Sequence, residues 1–336
     1  MIIPHNRPTI GLEEKKALSK VIESKHLSMN KEVERFEDQF ARYHKLSSGN
    51  AVAVSNGTSA LYIVLKFLNT KNKKVVLPTY SCSSLLHATK LAGAKAIIHD
   101  IKKNSPNMDA RLLKKNDLKI FAHMYGLPSI LKNKNLVEDC CQSLGAKINN
   151  KPVGLQGKAS IFSFYSTKLI TSAGQGGMIL SKDKSLIREI KDFLDFDMRK
   201  DEKFRFNFQM TDVQAAFGRT QLKKINIFIR KRKKIFNFYK NLGLSLLESN
   251  DKKIQQIYYR SILLCKNPKK VIKLLKQYKI EAINPLNEFE LLGNPKNFPN
   301  AKNLTTQTVS LPCYPSLSDS QLIYIGKVLK KINVSI

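Results

Sequence analysis

A chain of 336 residues with 42% hydrophobic and 25% charged residues has enough apolar material for one large packed domain and a smaller one beside it. No run of about eighteen apolar residues occurs, so no membrane insertion is expected, and residues 1–7 lack the apolar stretch of a secretion signal, which makes cytoplasmic residence the expectation. The net charge of +32 raises nucleic-acid binding as a reading, yet the lysines are dispersed, as in Thr70-Lys71-Asn72-Lys73-Lys74, and no helix-turn-helix or zinc module stands out.

The densest basic cluster, Arg230-Lys231-Arg232-Lys233-Lys234, falls in a helical pattern and reads as a solvated face. A positive field of this kind also favours capture of an anionic substrate such as a nucleotide diphosphate. Five cysteines (Cys82, Cys140, Cys141, Cys265, Cys313) show no metal-ligand spacing, and their odd number argues against a full disulfide framework. Adjacent Cys140-Cys141 reads as a pair of small buried thiols rather than a redox couple, and no metal is expected.

In chain order, short apolar runs at residues 51–54, 75–77, 96–98, 120–122, 136–137, 160–164 and 178–180 read as buried strands. Helical patterns lie between several of them, for example at 58–67 and 83–91. Such alternation predicts an α/β domain with a largely parallel sheet. Thr211-Asp212 caps a long helix predicted to reach residue 239. Beyond it the texture changes: strands at 257–264 and 308–311, helices at 268–278 and 318–331, and an irregular connection rich in Asn, Pro and Gly at 285–303.

Three segments carry chemistry. Asn56-Gly57-Thr58-Ser59 follows the first strand and opens a helix; free N–H groups at a helix start, reached through a glycine, suit an anion such as phosphate, although the same residues also form an ordinary N-cap. Glu138-Asp139 ends a strand, where a carboxylate points toward the usual ligand crevice of a parallel sheet, a helix N-cap being the plainer reading. Lys168 follows Phe162-Ser163-Phe164-Tyr165-Ser166-Thr167 and precedes Gly174-Gln175-Gly176-Gly177. A lysine among hydroxyls and glycines, when partly desolvated, can have its pKa lowered enough to form an imine with an aldehyde, although Lys168 also reads as one of many surface lysines.

In order and spacing these segments resemble the DegT/StrS family of pyridoxal-phosphate-dependent sugar aminotransferases, within the fold-type I superfamily. The resemblance is carried by residues 32–37 with Phe40-Ala41, 55–61, His123-Met124-Tyr125-Gly126, Glu138-Asp139 with Gln142, 163–168, Asn207, 210–216, 298–301 and 311–315. It implies a large domain over residues 1–240, with a mostly parallel seven-stranded sheet between helices, and a smaller C-terminal α+β domain over 241–336. It also implies a homodimer with shared active sites. The implied reaction passes an amino group, with glutamate as donor, to a keto-sugar linked to a nucleotide, for amino-sugar and surface-polysaccharide biosynthesis.

By the same resemblance, Lys168 carries pyridoxal 5'-phosphate and shuttles the proton, and Asp139 pairs with the pyridine nitrogen. Gln142 lies beside the ring hydroxyl. Gly57, Thr58, Ser59 and Ser163 hold the phosphate, and Asn207 reaches the phosphate of the neighbouring subunit. Cys82 stands where the family places an aromatic ring over the cofactor, with Tyr80 nearby as a substitute. Gln209 stands in place of an arginine, Tyr165 in place of a histidine, and Cys140-Cys141 in place of two alanines. Related sugar dehydratases carry His where Lys168 stands. The alternatives are a member that binds cofactor without turnover and a regulatory or nucleic-acid-binding protein.

Overall fold

The structure is a computed structural model that describes residues 2–109, 116–131 and 134–332; residues 333–336 of the expected C-terminal domain lie outside the described residues. Its elements begin with α1 (Leu12–Ser24), α2 (Lys31–Tyr43), β1 (Ala51–Val54), α3 (Gly57–Phe67), β2 (Lys74–Pro78), α4 (Ser84–Leu91) and β3 (Lys95–His99). There follow β4 (Leu118–Ala122), β5 (Leu136–Asp139), β6 (Lys147–Ile148), β7 (Lys151–Pro152), β8 (Ala159–Ser163), β9 (Gly177–Leu180), α5 (Lys184–Leu194) and α6 (Asp212–Asn241). The chain ends with β10 (Ile254–Gln255), β11 (Ser261–Leu264), α7 (Pro268–Gln277), α8 (Pro299–Thr305), β12 (Thr308–Leu311) and α9 (Asp319–Lys331).

Seven strands form one sheet in the order β1-β9-β8-β5-β4-β2-β3. The pairs β2–β3, β2–β4, β4–β5 and β5–β8 are parallel, while β9 runs antiparallel to both β8 and β1. The predicted seven strands and mostly parallel sheet are therefore present. Because side chains alternate along a strand, each strand feeds two layers. Val52, Val54, Ile161 and Ile179 pack with α3, α4 and α5 on one face. Ala51, Ala53, Phe162, Met178 and Leu180 pack with Phe36 and Phe40 of α2 and Leu222 and Ile225 of α6 on the other.

This topology brings the carboxyl ends of β1, β2, β4, β5 and β8 to one edge of the sheet. The register sets Ala122 opposite Asp139 and Asp139 opposite Ile161.

Antiparallel β11 and β12 form a separate two-stranded sheet, and its core joins Leu263, Val309 and Leu311 to α7, α9, Ile3 and the end of α6 at Ile235 and Tyr239. The expected strand at 257–264 is confined to its last four residues, because Ile257 instead donates to the Gly126 carbonyl at 3.2 Å and Tyr258 takes a positive φ of 53°. The stretch 285–303 is irregular as expected but closely packed. Leu292 exchanges hydrogen bonds with Thr79, and Asp100 caps α8 through the Asn300 and Ala301 N–H groups at 2.9 and 3.0 Å.

One sequence expectation fails in α6. Lys231, Lys233 and Lys234 are solvated, but Arg232 is only 2% exposed; its guanidinium donates to the carbonyls of Tyr259, at 2.7 Å, and Cys313. The helical period turns the middle residue of a basic run inward, and carbonyl oxygens then replace water around the charge.

Candidate active site

A cavity of about 560 Å³ lies at the sheet edge where the parallel strands end. It is lined by Gly57, Thr58, Ser59, Cys82, Asp139, Gln142, Ser163 and Lys168, whereas Asn207 and Tyr80 lie outside the lining. A ligand crevice outside the carboxyl ends of parallel strands is what such sheets favour.

Its anion-binding end is the start of α3. The Asn56 side chain accepts from the Ser59 N–H at 2.9 Å, which caps one orphan donor. The N–H groups of Gly57 and Thr58 find no acceptor among the described residues, so they stay available at the positive end of the helix. Gly57 is required for this approach: a Cβ there would lie 2.9 Å from Ser163 Cβ and 3.3 Å from Ser163 Oγ. Gly177 is equally constrained, since its Cβ would strike the Asn56 carbonyl. A glycine-floored pocket of hydroxyls and open N–H groups fits a phosphate.

Asp139 closes β5 at the opposite wall. Its Oδ1 accepts the Cys141 N–H at 2.9 Å. The N-cap reading fails, because residues 141–145 form turns rather than a helix. Gln142 accepts the Tyr125 N–H through Oε1 at 2.9 Å, and its amide N–H groups have no acceptor among the described residues. Burial pushes the Cys141 thiol well above its ordinary pKa, and Asp139 pushes the same way, so the thiol keeps its proton.

Lys168 sits in a turn held from both sides. Its own N–H donates to the Tyr165 carbonyl at 2.9 Å, while Ser166 donates to Gly174 at 3.1 Å and Phe164 to Gly176 at 2.8 Å. The expected lowering of its pKa is not found. Burial does push Lys168 down, but Tyr259, Cys141, Asp139 and Cys82 stabilise the ammonium and the net direction is up. Sequence spacing could reveal the desolvation but not these partners, of which Tyr259 arrives from far along the chain.

One further expectation changes. Tyr80 cannot stand in for an aromatic over a ligand in this cavity: it is 0% exposed, absent from the lining, and bonded through its hydroxyl to Tyr125 at 2.8 Å. Exposed Cys82 faces the cavity instead. Asn207 is exposed and lies outside the cavity, its Oδ1 accepting the Gln209 N–H at 3.2 Å. Its neighbour Phe208 accepts the Ser55 N–H at 2.8 Å, which ties this segment to the phosphate turn.

Sequence reasoning left Met124, Ser84 and Gln175 unassigned, yet all three line the cavity. Each follows a strand or glycine turn, which is the only local signal they carry. Among the described residues one His, Glu and Cys group, His123, Glu138 and Cys140, is close enough to hold a metal. The Glu138 oxygens are already occupied by His123 at 3.0 Å and by the N–H groups of Gly154, Gln156 and Gly157 at 3.1, 2.6 and 3.1 Å. Burial also raises the Cys140 pKa, which disfavours the thiolate a metal needs.

Comparison with known proteins bears on the fold and the family. The fold matches the aminotransferase TlmJ from Streptoalloteichus hindustanus with a TM-score of 0.91 at 22% identity, over 98% of both chains. It matches the putative sugar aminotransferase Spr1654 from Streptococcus pneumoniae, in a PMP form, with a TM-score of 0.88 at 19% identity, over 99% of this chain and 98% of that one. Residues 8–330 match the profile of the DegT/DnrJ/EryC1/StrS aminotransferase family, and the chain belongs to that family. It is 28% identical to the GDP-perosamine synthase of Escherichia coli O157:H7, over 96% of each protein. It is likewise 28% identical to the UDP-4-amino-4,6-dideoxy-N-acetyl-beta-L-altrosamine transaminase of Campylobacter jejuni, over 98% of this chain and 97% of that one. Among the described residues no helix is long and apolar enough to cross a membrane.

Proposed function

We propose that this protein is a pyridoxal-phosphate-dependent aminotransferase that passes an amino group, with glutamate as donor, to a nucleotide-linked keto-sugar in the cytoplasm. The observation that carries the reading is the convergence of Lys168, Asp139 and the open α3 N-terminus on one cavity. An amine, a carboxylate and a phosphate cradle are the three groups an aldehyde-bearing phosphorylated pyridine requires. Family membership and the relatives named above support the sugar as acceptor.

The open N–H groups of Gly57 and Thr58, with the hydroxyls of Thr58, Ser59 and Ser163, hold the phosphate. Asp139 would pair with the ring nitrogen and favour its protonated form, and the free amide of Gln142 would lie beside the ring hydroxyl. Bound there, the cofactor would supply an electron sink. Lys168 would hold it and serve as the base that carries the proton. Because its neighbours hold its charge, Lys168 must shed a proton first, so attachment quickens as pH rises. The cofactor domain corresponds to residues 1–240 and the smaller domain begins at 241, with Ile3, Ile235 and Tyr239 packing into the core of the latter. Asn207, exposed and tied to the phosphate turn, serves the partner's site in a homodimer.

The test has two stages. Incubation with pyridoxal phosphate and then glutamate should convert the lysine-bound absorbance band to that of the pyridoxamine form. A panel of nucleotide-linked keto-sugars should then regenerate it. Uptake of cofactor with no response to any amino donor would mark a binder without turnover and overturn the reading.

A further inference from the structure

The carbonyl of Thr167, the residue before Lys168, is gripped from two directions. The Tyr259 hydroxyl donates to it at 3.1 Å from 92 positions along the chain. The Asn6 side-chain amide donates to it at 3.0 Å from 161 positions in the other direction. Neither contact belongs to a regular element, and neither is needed to close the turn at 165–168, which the Lys168 N–H already closes.

Tyr259 is itself immobilised. It is 4% exposed, and the guanidinium carbons of Arg232 and Arg260 lie 5.7 and 5.6 Å from its ring centroid. Arg232 also donates to the Tyr259 carbonyl at 2.7 Å. Its backbone lies close against the Tyr125-Gly126 turn, where a Cβ on Gly126 would come within 3.1 Å of Tyr259 N. That turn is the one fastened to Gln142 through the Tyr125 N–H. Arg260 in turn bonds His5 at 3.1 Å, and His5 bonds Ser310 at 2.8 Å. His5 adjoins Asn6, so the two arms of the grip are tied to each other.

We propose that Tyr259 is a positioning residue for Lys168: with Asn6 it clamps the Thr167 carbonyl and fixes the direction in which the lysine leaves its turn. The inference rests on the reading of Lys168 as the reactive amine. A lysine side chain has several rotatable bonds, so an anchored backbone is the cheapest way to restrict where its amine can reach. A displacement of about 1 Å at a reacting group costs on the order of a hundredfold in rate. Tyr259, Cys141, Asp139 and Cys82 raise the Lys168 pKa, while Lys168, Arg260 and Arg232 lower that of Tyr259 against its burial.

The test uses the full chain without cofactor, trace-labelled with acetic anhydride in mildly alkaline buffer, with Lys168 acetylation read by mass spectrometry against the other lysines. Tyr259→Phe keeps the ring between its guanidiniums and removes only the hydroxyl. It frees the Thr167 carbonyl from one arm of the clamp and should raise Lys168 labelling severalfold. Asn6→Ala changes a half-buried residue near the chain start and should raise labelling by a smaller factor, so it carries the test if Tyr259→Phe fails to fold. Tyr80→Phe removes a buried hydroxyl bond that does not touch Thr167, and labelling should stay at the wild-type level. Wild-type labelling in both Tyr259→Phe and Asn6→Ala, or an equal rise in Tyr80→Phe, would overturn the clamp. Failure of the wild-type protein to take up pyridoxal phosphate would instead refute the functional reading, with the labelling still readable.

Discussion

Two cavities differ in what their polar atoms are already bound to. The larger, about 730 Å³, lies between α1, α2 and α6 and is lined with charge. Its acids are all engaged. Glu13 pairs with Lys224 at 2.9 Å, Glu32 with Arg35 and Arg219 at 2.7 Å, and Asp212 accepts the N–H groups of Asn30, Glu32 and Val33 at 2.8, 3.2 and 3.1 Å. The smaller cavity at the sheet edge keeps the Gly57 and Thr58 N–H groups and the Gln142 amide free of protein acceptors among the described residues. Volume therefore marks where three helices meet, and unspent hydrogen-bonding capacity marks where a ligand belongs.

Substitutions should separate the two. Lys168→Ala should abolish covalent cofactor uptake and cut turnover by at least about a thousandfold, measured by absorbance and coupled assay, with little change in melting temperature. Asp139→Asn should weaken cofactor binding about thirtyfold, since a charge-assisted hydrogen bond contributes about 2 kcal/mol; titration of the cofactor band reads this directly. In the larger cavity Asp212→Ala should leave cofactor affinity unchanged. It should lower unfolding stability by about 2 kcal/mol in a urea melt, because three backbone N–H groups at the start of α2 lose their acceptor. An Asp212→Ala protein that folds normally and loses cofactor would erase the distinction.

A pH-dependent effect is expected away from both cavities. His44 is 0% exposed between Phe40 and Phe162, and burial lowers its pKa to about 4 from 6.5 despite opposing help from the Phe40 carbonyl and Glu138. The unfolded chain binds the proton more readily, so the stability from neutral His44 is complete above about 6.5 and is lost as pH falls toward 4. Urea midpoints across that window should decline less steeply in His44→Phe.

Much of this was legible in the chain. Strand runs such as 51–54 and 178–180 stand out because they are buried on both faces, and the α3 start announces itself through Asn56-Gly57. The order Gly57, Asp139, Lys168 placed three walls of one cavity before any coordinates. What stayed hidden is long-range. Nothing local says that β9 inserts antiparallel between β1 and β8, that Arg232 turns inward, or that Tyr80 is sealed against Tyr125. The direction of the Lys168 pKa was missed for the same reason: burial is visible in its neighbours along the chain, whereas Tyr259 and Cys141 meet it only in space.

The central claim is that Lys168 is the amine that takes the cofactor's aldehyde. Reduction of the pyridoxal-phosphate-treated protein with borohydride, followed by peptide mapping, tests it most directly. The account predicts a single reduced pyridoxyl adduct on Lys168, absent in Lys168→Ala. An adduct on another of the many lysines, or none while the protein remains folded, would contradict it.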